Sequence, residues 1–591
     1  MNFERNNLDL STSPYLRQHK ENPIWWQEWG EATLEYAKKK GKPLFFSVGY
    51  STCHWCHVMA AEAFSNKDIA DFLNKNFISV KVDREERPDI DQFLMRFILS
   101  LNVQGGWPLN AFLTPNLNPL YALTYAPVEP QARMPGFLEI LEKIYDFYRS
   151  AGHKLSPFIL SESQPPVSAE EEIIKMCYEA FDQVYGGFGQ ENKFPPSSTL
   201  LYLLYYSSND QRIRLILEKT LDVMMLRGLH DHLEGGFFRY CVDREWLIPH
   251  FEKMLYDQAM MLWIYALAFK VLGKKEYKET AFKIVKSLED TFERDGLFCS
   301  AFDADINHEE GGYYLWAYDE LSRILTEEEL SLLKRVYFVT EKGNFEGKNH
   351  LIRLDGTAIP LIEQKLLFQR RLKEPPFCDE KIVTSWNALL GVAFIHAYRY
   401  LSEDHFLAHA RKIASCLLER HFDGVSLART SLSGKKSSGG FLEDGAAVLL
   451  LLTYLHEETG EFKEAMDTFY AYVLNFRTER SWKESSQKDF ITLPASHFDH
   501  PIPSSVSLAE LAVLRATIFQ KKQFFPGPYV TALFHDFYNI SSLVRNGLFH
   551  LITSPQKIGW KVLPVNTIQI RGEKQEDCFA GSCTDINLDM N

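Results

Sequence analysis

The sequence has no excess of positive charge and no long apolar stretch. Its 591 residues carry 64 Lys and Arg against 78 Asp and Glu, which gives a formal net charge of −14. Nucleic acids and anionic membranes attract proteins through basic surfaces, and an acidic chain lacks that attraction. No apolar run approaches the ~20 residues that span a bilayer as a helix. We therefore expect no nucleic acid and no membrane among the partners of this protein.

Cysteine is also scarce. The chain has only nine Cys, and they are scattered along its whole length. Small secreted proteins instead carry a dense and usually even set of cysteines that forms a disulfide framework. The first residues, MNFERNNLDLSTSPYL, lack the charged and then apolar pattern of a signal peptide. The sequence therefore predicts a reducing, cytoplasmic compartment.

Two of the cysteines belong to the most informative stretch of the chain, residues 42–57, which reads KPLFFSVGYSTCHWCH. The apolar run 43–48 has the length and aromatic content of a buried strand, and helix-forming residues follow Cys56. A thiol at a helix N-terminus is favoured as thiolate, and a second thiol one turn later can resolve a mixed disulfide. The pattern predicts a redox dithiol in which Cys53 attacks and Cys56 resolves.

Three other interpretations of this stretch stay open. C-x-x-C-H is also the attachment signature of c-type haem, although covalent haem normally accompanies export. His54 and His57 could complete a zinc site, although no second CxxC follows at zinc-ribbon spacing. The two cysteines could also be buried structural residues. We favour the dithiol and predict neither a metal nor a cofactor.

The segments after the CxxC follow the order of a thioredoxin fold. An alternating strand covers 77–82, and the turn GGWPL at 105–109 leads into a strand at 110–113. In a thioredoxin fold the proline at this place is cis and presents backbone to an extended substrate. We predict a thioredoxin-like α/β domain over residues 1–150, with Trp107 and a cis Pro108 beside the dithiol. A trans turn proline is the alternative. The expected substrate is a protein disulfide or a small thiol.

The character of the chain changes after residue 150. Residues 151–169 are rich in Ser, Pro and Glu and predict a linker. Twelve candidate helices and few strand signals follow up to residue 519, which predicts an all-α toroid or solenoid over 170–541. Short apolar runs after 542 predict a small strand-bearing C-terminal appendage over 542–591, which carries Cys578 and Cys583.

Pairs of glycines followed by an aromatic residue recur between these helices. Asp303 and Asp305 precede one pair, and Glu443 and Asp444 follow another. If the loops project to one end of a toroid, aromatic faces and carboxylates would surround one mouth, as carbohydrate binding requires. The alternative is that the glycines end helices and the aromatics are core. The four motifs are Gly186-Gly187-Phe188, Gly235-Gly236-Phe237, Gly311-Gly312-Tyr313 and Gly439-Gly440-Phe441.

The stretch WLIPHFEKMLYD at 246–257 contributes the remaining candidates for a sugar site. Pro249 suits the first turn of a helix, which would place His250 at the helix start and Asp257 about two turns along the same face. A His and an Asp on one face could perform acid–base chemistry, and the alternative is a structural histidine. The complete candidate sugar site is His250, Asp257, Asp303, Asp305, Glu443 and Asp444.

Several motifs resemble the spermatogenesis-associated protein 20 / YyaL-type family over nearly all of the chain. They include STSPYLRQHKENP at 11–23, GYSTCHWCHVM at 49–59, VDREERPDID at 82–91, GGWPLNAFLTP at 105–115 and HDHLEGGFFRYCVDREWLIPHFEKMLYDQA at 230–259. FDADINHEEGGYYLW at 302–316, NFEGKNHL at 344–351 and FLEDGA at 441–446 complete the set.

The resemblance implies a thioredoxin-like domain joined to an (α/α)6 toroid of the six-hairpin glycosidase kind, with a link to carbohydrate metabolism. The chain departs from the family pattern in the toroid, where Asp379-Glu380 replaces a paired Asp and Gly445 replaces a Tyr. The run Ser504-Ser505-Val506-Ser507 also replaces Ser-Gly-Asn-Ser, which removes an amide side chain.

Three hypotheses for function follow. The first is thiol–disulfide exchange at Cys53 and Cys56. The second is a sugar epimerase, isomerase or glycoside hydrolase with its site in the toroid. The third is a non-enzymatic protein whose toroid binds a glycan or a protein and whose CxxC senses redox state.

Overall fold

The computed structural model forms two compact units, each described here by itself. The first consists of Met1–Glu162, Ala428–Phe441 and Lys483–Pro494, and the second of Ser163–Leu427, Leu442–Trp482 and Ala495–Asn591. Most of the predicted linker 151–169 lies outside the described residues. The described residues are 2–131, 134–152, 155, 158, 170–206, 210–307, 309–479, 481–499, 501–520, 536–545, 547–580 and 582–585.

A five-stranded mixed sheet organises the first unit. Its strand order is β1-β3-β2-β4-β5, with β1, β3 and β2 parallel and β4 and β5 antiparallel to their neighbours. Every residue of β2, β3 and β4 is buried, because helices cover both faces of the sheet. The strands are β1 (Gln27–Glu28), β2 (Leu44–Gly49), β3 (Ile78–Asp83), β4 (Leu109–Leu113) and β5 (Pro119–Leu123).

Apolar side chains alternate across this sheet and form one core on each face. Phe45 stacks on Phe112 on one face, with 4.9 Å between ring centroids. Phe46, the next residue, points to the other face and packs with Phe490. The helices are α1 (Pro14–Gln18), α2 (Glu31–Lys40), α3 (His54–Ala61), α4 (Lys67–Asn76), α5 (Pro88–Ser100) and α6 (Phe137–Ala151), with a strand pair at Thr430–Leu432 and Lys435–Lys436. This architecture confirms the thioredoxin-like α/β domain.

The second unit is predominantly helical. Its helices are α7 (Glu170–Ala180), α8 (Ser197–Tyr206), α9 (Gln211–Leu226), α10 (Leu255–Leu272), α11 (Lys275–Ser287), α12 (Tyr318–Ile324), α13 (Glu327–Val336), α14 (Pro360–Arg370), α15 (Thr384–Leu401), α16 (Asp404–Arg420), α17 (Leu442–Thr459), α18 (Lys463–Leu474), α19 (Ser505–Phe519) and α20 (Asp536–Arg545).

Six of these helices form a closed inner ring. Each of α8, α10, α15, α17, α19 and α20 packs against the next, and α20 packs back on α8. The helices α9, α11, α16 and α18 lie outside it, each against an inner neighbour. α10, α15 and α17 are apolar and buried almost all round, as expected of helices enclosed by others. The ring confirms the predicted (α/α)6-type toroid.

Short strands precede several inner helices and hold the chain at one end of the ring. The strand Ala301–Phe302 pairs antiparallel with both Lys253–Met254 and Cys378–Asp379, which lead into α10 and α15. The remaining short strands are Tyr240–Cys241, Pro249–His250, Glu293–Arg294, Leu297–Phe298, Asp305–Ile306, Glu309–Glu310 and Ile382–Val383.

The C-terminal part of the chain carries the predicted strands. His550–Ser554 pairs in parallel with Thr567–Arg571 and antiparallel with Glu576–Phe579, which in turn pairs with Ser582–Asp585. Cys578 and Cys583 lie opposite each other in this last hairpin and form a disulfide. Of the described helices, none combines the length and the apolar character needed to cross a membrane.

Candidate functional site

The CxxC lies where β2 meets α3, as the sequence predicts. β2 ends at Gly49, and Cys53 is the N-cap residue of α3. The sulfurs of Cys53 and Cys56 form a disulfide, and the backbone N–H of Cys56 donates to Sγ of Cys53 at 3.3 Å. A sulfur at the positive end of a helix, next to backbone donors, is stabilised as thiolate when the disulfide opens. Both residues are almost fully buried, with Cys53 3% and Cys56 1% exposed.

The Trp-Pro turn adjoins this dithiol. The Trp107–Pro108 peptide bond is cis, which confirms the prediction. Leu109, the next residue, pairs with Val48 at the end of β2, so the turn stands beside the strand that leads into the CxxC. The Trp107 ring meets the Tyr50 ring edge-on at 5.9 Å between centroids. The Trp-Pro turn and the CxxC, which are separate in the sequence, are therefore neighbours in the fold.

Two charged residues hold the Trp107 ring in place. Its Nε1–H donates to Oδ1 of Asp91 at 2.7 Å, and the Arg84 guanidinium lies 3.9 Å from the ring centroid. Arg84 also pairs with Asp91 at 3.2 Å. Burial raises the pKa of Asp91, and the charge of Arg84 and the hydrogen bond from Trp107 oppose that shift. The tryptophan is thus fixed by both a hydrogen bond and a cation–π contact.

The outer face of the dithiol carries an exposed aromatic residue. Trp55, between the two cysteines, is 51% exposed, and its ring lies 5.3 Å from that of Tyr125. The Tyr125 hydroxyl donates to Glu62 at 2.6 Å. Burial and the Glu62 carboxylate together raise the pKa of Tyr125 to about 12. An apolar ring is therefore exposed next to both cysteines.

The inner face holds a tyrosine that the sequence did not single out. A Cβ added at Gly49 would collide with both the Tyr15 hydroxyl and Sγ of Cys56, so these two atoms face the same small space. Tyr15 is fully buried, and its hydroxyl has no hydrogen-bond partner among the described residues. Burial raises the pKa of Tyr15 well above its ordinary value, and the Asp83 charge adds to the shift. The hydroxyl is a buried donor beside Sγ of Cys56.

A buried lysine lies next to Tyr15. Lys81 on β3 is 1% exposed, and its Nζ donates to Oγ of Ser47 at 2.9 Å. The ammonium lies 5.1, 5.0 and 4.5 Å from the ring centroids of Tyr15, Trp26 and Phe64. In the described part of the chain no carboxylate forms a salt bridge with Lys81. Burial therefore lowers the pKa of Lys81 well below its ordinary value.

The histidine predictions need a correction in the second unit. His250 does not start a helix: Pro249–His250 is a short strand paired with Tyr240–Cys241, and α10 begins only at Leu255. Asp257 therefore stands in the first turn of α10 and not two turns below His250. The physical reason is tertiary. Backbone hydrogen bonds to distant strands on both sides of residue 251 pair the peptide groups of this segment, and they hold it extended.

Two carboxylates that the sequence analysis missed surround His250. Its Nδ1 lies 2.7 Å from Oε1 of Glu310 and its Nε2 lies 3.3 Å from Oε2 of Glu252. Arg239 in turn donates to Glu252 at 2.9 Å. Burial lowers the pKa of His250, but the hydrogen bonds to Glu252 and Glu310 outweigh it and raise that pKa to about 9. His250 is therefore an imidazolium near neutral pH.

Asp257 belongs to the same charged cluster. It is 3% exposed, and its Oδ2 has no hydrogen-bond partner within the described residues. Burial raises the pKa of Asp257 well above its ordinary value, the charge of Arg239 opposes the shift, and that of Glu252 adds to it. Asp257 and His250 thus have the Glu252 carboxylate as a common charged neighbour.

The other predicted carboxylates stand at the same end of the ring. Asp305 pairs with Glu310 in a hairpin, and the backbone N–H of Asp305 donates to Asp303 at 3.2 Å. This hairpin therefore brings both aspartates into the neighbourhood of His250. The strand before it, Ala301–Phe302, connects them to the starts of α10 and α15.

Glu443 and Asp444 begin α17 and bind the start of α15. The Ser385 hydroxyl donates to Glu443 at 2.5 Å, and the Ser385 backbone N–H donates to Asp444 at 3.1 Å. Trp386 meets Tyr256 of α10 edge-on at 4.8 Å, so the starts of α10, α15 and α17 adjoin. The structure brings the six predicted residues to one end of the ring.

The Gly-Gly-aromatic motifs are structural. Phe237, Tyr313 and Phe441 are buried, which contradicts the interpretation of these aromatics as sugar platforms. Gly235 and Gly236 both adopt left-handed conformations, with φ of +80° and +77°, where other residues would be strained.

Two of these motifs follow an aspartate whose carboxylate forms salt bridges with two basic side chains. Lys193 and Arg244 bind Asp182, and Lys253 and Arg370 bind Asp231. Paired in this way, neither aspartate is free for acid–base chemistry.

A different aromatic residue faces solvent: Phe194 is 52% exposed and stacks on Tyr240 at 4.4 Å, and Tyr240 lies 5.3 Å from the His250 ring.

A cavity of about 200 Å³ lies elsewhere in the second unit. Its lining includes His456 near the end of α17, Phe519 at the end of α19, and Lys557 and Gln569. Glu443 stands at the opposite end of α17. The cavity therefore does not contain the candidate sugar residues.

Comparisons with known proteins cover both units. Residues 5–161 match the family model Thioredox_DsbH, described as a protein of unknown function, DUF255. The chain is 31% identical over 87 residues to the cellobiose 2-epimerase of Bacteroides fragilis, which covers 14% of this chain and 22% of that enzyme.

Solved structures give weaker likenesses. The cellobiose 2-epimerase of Spirochaeta thermophila aligns at 14% identity and a TM-score of 0.40, covering 64% of this chain and 82% of that one. A DsbH oxidoreductase aligns at 19% identity and a TM-score of 0.17, covering 21% of this chain and 85% of that one.

Two relatives are more similar and match most of the chain. Uncharacterized protein B0495.5 of Caenorhabditis elegans is 33% identical over 593 residues, covering 88% of this chain and 81% of the relative. Spermatogenesis-associated protein 20 of Homo sapiens is 35% identical over 532 residues, covering 77% of this chain and 68% of the relative. At this identity and coverage, the chain belongs to the spermatogenesis-associated protein 20 family.

Proposed function

We propose that this protein is a thiol–disulfide oxidoreductase that uses the Cys53–Cys56 dithiol in a reducing, cytoplasmic compartment. The observation that carries the proposal is the disulfide at the N-terminus of α3, with Trp107 and Pro108 beside it. Its substrate would be a protein disulfide or a small thiol. The exposed Trp55 would contact a substrate side chain, and the Trp107–Pro108 turn would present backbone to it.

The reaction would proceed in two exchanges. The Cys53 thiolate attacks one sulfur of the substrate disulfide, forms a mixed disulfide and expels the other substrate sulfur as thiolate. The Cys56 thiolate then attacks Sγ of Cys53, closes the Cys53–Cys56 disulfide and expels the second substrate thiolate. The substrate gains two electrons and the dithiol loses two. Two molecules of a low-molecular-weight thiol such as glutathione then return the dithiol to its reduced form and are oxidised to one disulfide.

A redox titration tests this proposal. The full-length protein is equilibrated with glutathione at graded ratios, and alkylation of Cys53 and Cys56 is followed by mass spectrometry. We expect a reversible two-electron couple between about −120 and −270 mV, the range of working oxidoreductases. The double variant Cys578→Ser/Cys583→Ser is the control and should keep the couple. A Cys53→Ser variant that still reduces disulfides at the wild-type rate would refute the proposal.

A second candidate function is carbohydrate binding or processing at the end of the ring that carries His250. The supporting observations are His250 with its two carboxylate partners, the buried Asp257 near Glu252, and the exposed Phe194 ring stacked on Tyr240 beside His250. An imidazolium and a carboxyl group with a raised pKa can donate protons or hydrogen bonds to sugar oxygens, and an exposed ring suits a sugar face. Epimerisation, isomerisation or hydrolysis would be the reaction class.

Calorimetric titration with glucose, mannose and cellobiose tests this second candidate. We expect binding that weakens at least tenfold in Phe194→Ala, whereas Phe368→Ala, which removes a ring that is 64% exposed on α14, should leave it unchanged. NMR of the bound sugar then separates an enzyme from a binding module, because only an enzyme converts the sugar. No binding of any of the three sugars would contradict the second candidate.

A further inference from the structure

A second pair of thiols lies in the toroid, far apart in sequence and close in space. Sγ of Cys299 and Sγ of Cys378 are 3.3 Å apart, although 79 residues separate them along the chain. Cys378 begins the strand Cys378–Asp379, and Cys299 lies two residues before the strand Ala301–Phe302 that pairs with it. The backbone pairing of these two strands keeps the sulfurs together.

The two thiols differ in access to solvent. Of the five free thiols in the described part of the chain, Cys378 is partly exposed and the other four are buried. Cys299 has no measurable exposure. A reagent from solvent would therefore meet Cys378 first, with Cys299 behind it.

A cation activates the exposed member of the pair. Arg294 donates from a guanidinium nitrogen to Sγ of Cys378 at 3.3 Å. Hydrogen bonding with Cys299 and the charge of Arg294 lower the pKa of Cys378, against burial and the charges of Asp379 and Glu380. Burial raises the pKa of Cys299. This asymmetry is that of an attacking and a resolving thiol.

We propose that Cys299 and Cys378 form a reversible redox modification site whose oxidant is a low-molecular-weight disulfide such as oxidised glutathione. The Cys378 thiolate attacks one glutathione sulfur, forms a mixed disulfide and expels the other glutathione as thiolate. Cys299 then loses its proton to solvent, attacks Sγ of Cys378 and expels the second glutathione. Two protein thiols are oxidised to one disulfide, and one oxidised glutathione is reduced to two reduced glutathiones.

The position of the pair indicates what the disulfide would do. Ala301–Phe302 leads directly to Asp303, whose backbone N–H donates to the carbonyl of Phe377 at 2.9 Å. A Cys299–Cys378 bond would cross-link the segment that carries Asp303 to the strand before α15. Oxidation would thus fix one side of the ring end that carries His250. This proposal does not depend on the Cys53–Cys56 chemistry.

Peptide mapping tests the proposal on the wild-type protein, so the result does not depend on whether a variant folds. Trypsin places Cys299 in peptide 295–323 and Cys378 in peptide 374–381, each with a single cysteine. The protein is equilibrated with reduced and oxidised glutathione at graded ratios, the remaining thiols are alkylated, and the peptides are analysed by mass spectrometry. We expect the cross-linked peptide pair to accumulate as the oxidised fraction rises and to disappear when reduced glutathione is restored.

Two outcomes would overturn the proposal. One is the absence of the cross-linked pair at every ratio, and the other is glutathione that stays on Cys378 without resolution by Cys299. As a further readout, Arg294→Gln should slow alkylation of Cys378 severalfold, whereas Arg323→Gln should not, because Arg323 contacts the Asp319 carbonyl in α12. Equal alkylation rates in the wild type and Arg294→Gln would also count against the assigned roles.

Discussion

At the scale of single residues, the position of Tyr15 brings its hydroxyl to the Cys56 sulfur. Its hydroxyl faces Sγ of Cys56 across Gly49 and has no partner in the disulfide state, within the described chain. When the disulfide opens, the Cys56 sulfur becomes an acceptor, and a donor already buried beside it can bind without displacing water. Tyr15 would then stabilise the reduced form.

Tyr15→Phe should therefore make the dithiol less oxidising. A hydrogen bond to an uncharged thiol is worth about 0.5–1.5 kcal/mol, and loss of it from the reduced form shifts the potential by about 10–30 mV to more negative values. The measurement is the glutathione titration of Cys53 and Cys56 in both proteins. Tyr36→Phe, which alters a ring stacked on Phe3 at 4.2 Å, is the control and should leave the potential unchanged. An unchanged potential in Tyr15→Phe would remove this role.

Lys81 leads to a prediction about stability. Because burial lowers its pKa in the folded state, the folded protein binds fewer protons at this site than the unfolded chain, whose Lys titrates near 10.4. The group therefore costs stability most fully below its folded-state pKa, and the cost fades as the pH rises toward about 10.4. Lys81→Met combined with Ser47→Ala, which leaves no unpartnered hydroxyl, should stabilise the protein at pH 7.

The gain should be about 1.4 kcal/mol for each unit by which the pKa of Lys81 is lowered, and it should shrink as the pH rises toward 10. Urea unfolding at pH 7 and pH 9.5 measures both effects. Lys143→Met removes an exposed lysine of α6 paired with Glu139 and should change the free energy of unfolding by less than about 0.5 kcal/mol. A destabilised Lys81→Met/Ser47→Ala protein would show that the three aromatic rings outweigh the desolvation of the ammonium.

At the scale of elements, the hairpin Asp305–Ile306/Glu309–Glu310 sets the charge of His250. It places the Glu310 carboxylate 2.7 Å from Nδ1, and with Glu252 it raises the pKa of His250 to about 9. A raised folded-state pKa contributes stability that is fully present below about pH 6.5 and is lost as the pH rises through about 9.

Glu310→Gln should lower the pKa of His250 by at least one unit, because one of its two carboxylate partners becomes neutral. Histidine ring signals followed by NMR between pH 5 and pH 10 measure it, and the signal lost in His250→Gln identifies the residue. Glu309→Gln, one residue away, removes an exposed carboxylate that pairs with Lys348 and should leave the titration in place. A wild-type His250 that titrates near 6.5 would contradict the proposed charge state.

Local sequence predicts elements well and their partners poorly. The strand before the CxxC, the helix after it and the helix 384–401 follow from periodicity, which is a short-range property. Tyr15, Glu252 and Glu310 carry no local sign that they meet Cys56 or His250, since these contacts join distant segments. The local sequence predicts a helix start at His250 because Pro249 suits a first turn, and only pairing with Tyr240 makes the segment extended.

At the scale of the whole molecule, the first unit is assembled from three separate pieces of chain. Lys483–Pro494 contributes Phe490, which is 7% exposed and packs against Trp29, Phe46 and Phe93 on one face of the sheet. Asp489 accepts two hydrogen bonds from Arg87, at 2.9 and 3.0 Å. Arg429, from Ala428–Phe441, donates to the Glu85 carbonyl at 2.9 Å. The N-terminal sequence alone therefore does not contain the complete core of this unit.

A protein that ends at residue 162 should consequently be less stable than the same unit in the full chain. Without Phe490, the rings of Trp29, Phe46 and Phe93 would lose apolar cover, and loss of a buried Phe costs about 3–5 kcal/mol. We expect the fragment to bind a hydrophobic dye and to unfold at lower urea concentration than the same residues in the full chain. Amide hydrogen exchange of peptides from β2 and β4 measures the local stability of this unit in both the fragment and the full chain.

The full-length variant Phe490→Ala separates this packing effect from truncation itself. It should weaken protection of β2 and β4 while leaving α10 and α15 protected, because those helices belong to the other unit. Phe498→Ala, which removes a ring that is 51% exposed, is the matched control and should change neither. A fragment 1–162 as protected as the full chain would show that the residues before position 163 suffice for a complete thioredoxin-like core. The later segments would then be additions to that core and not parts of it.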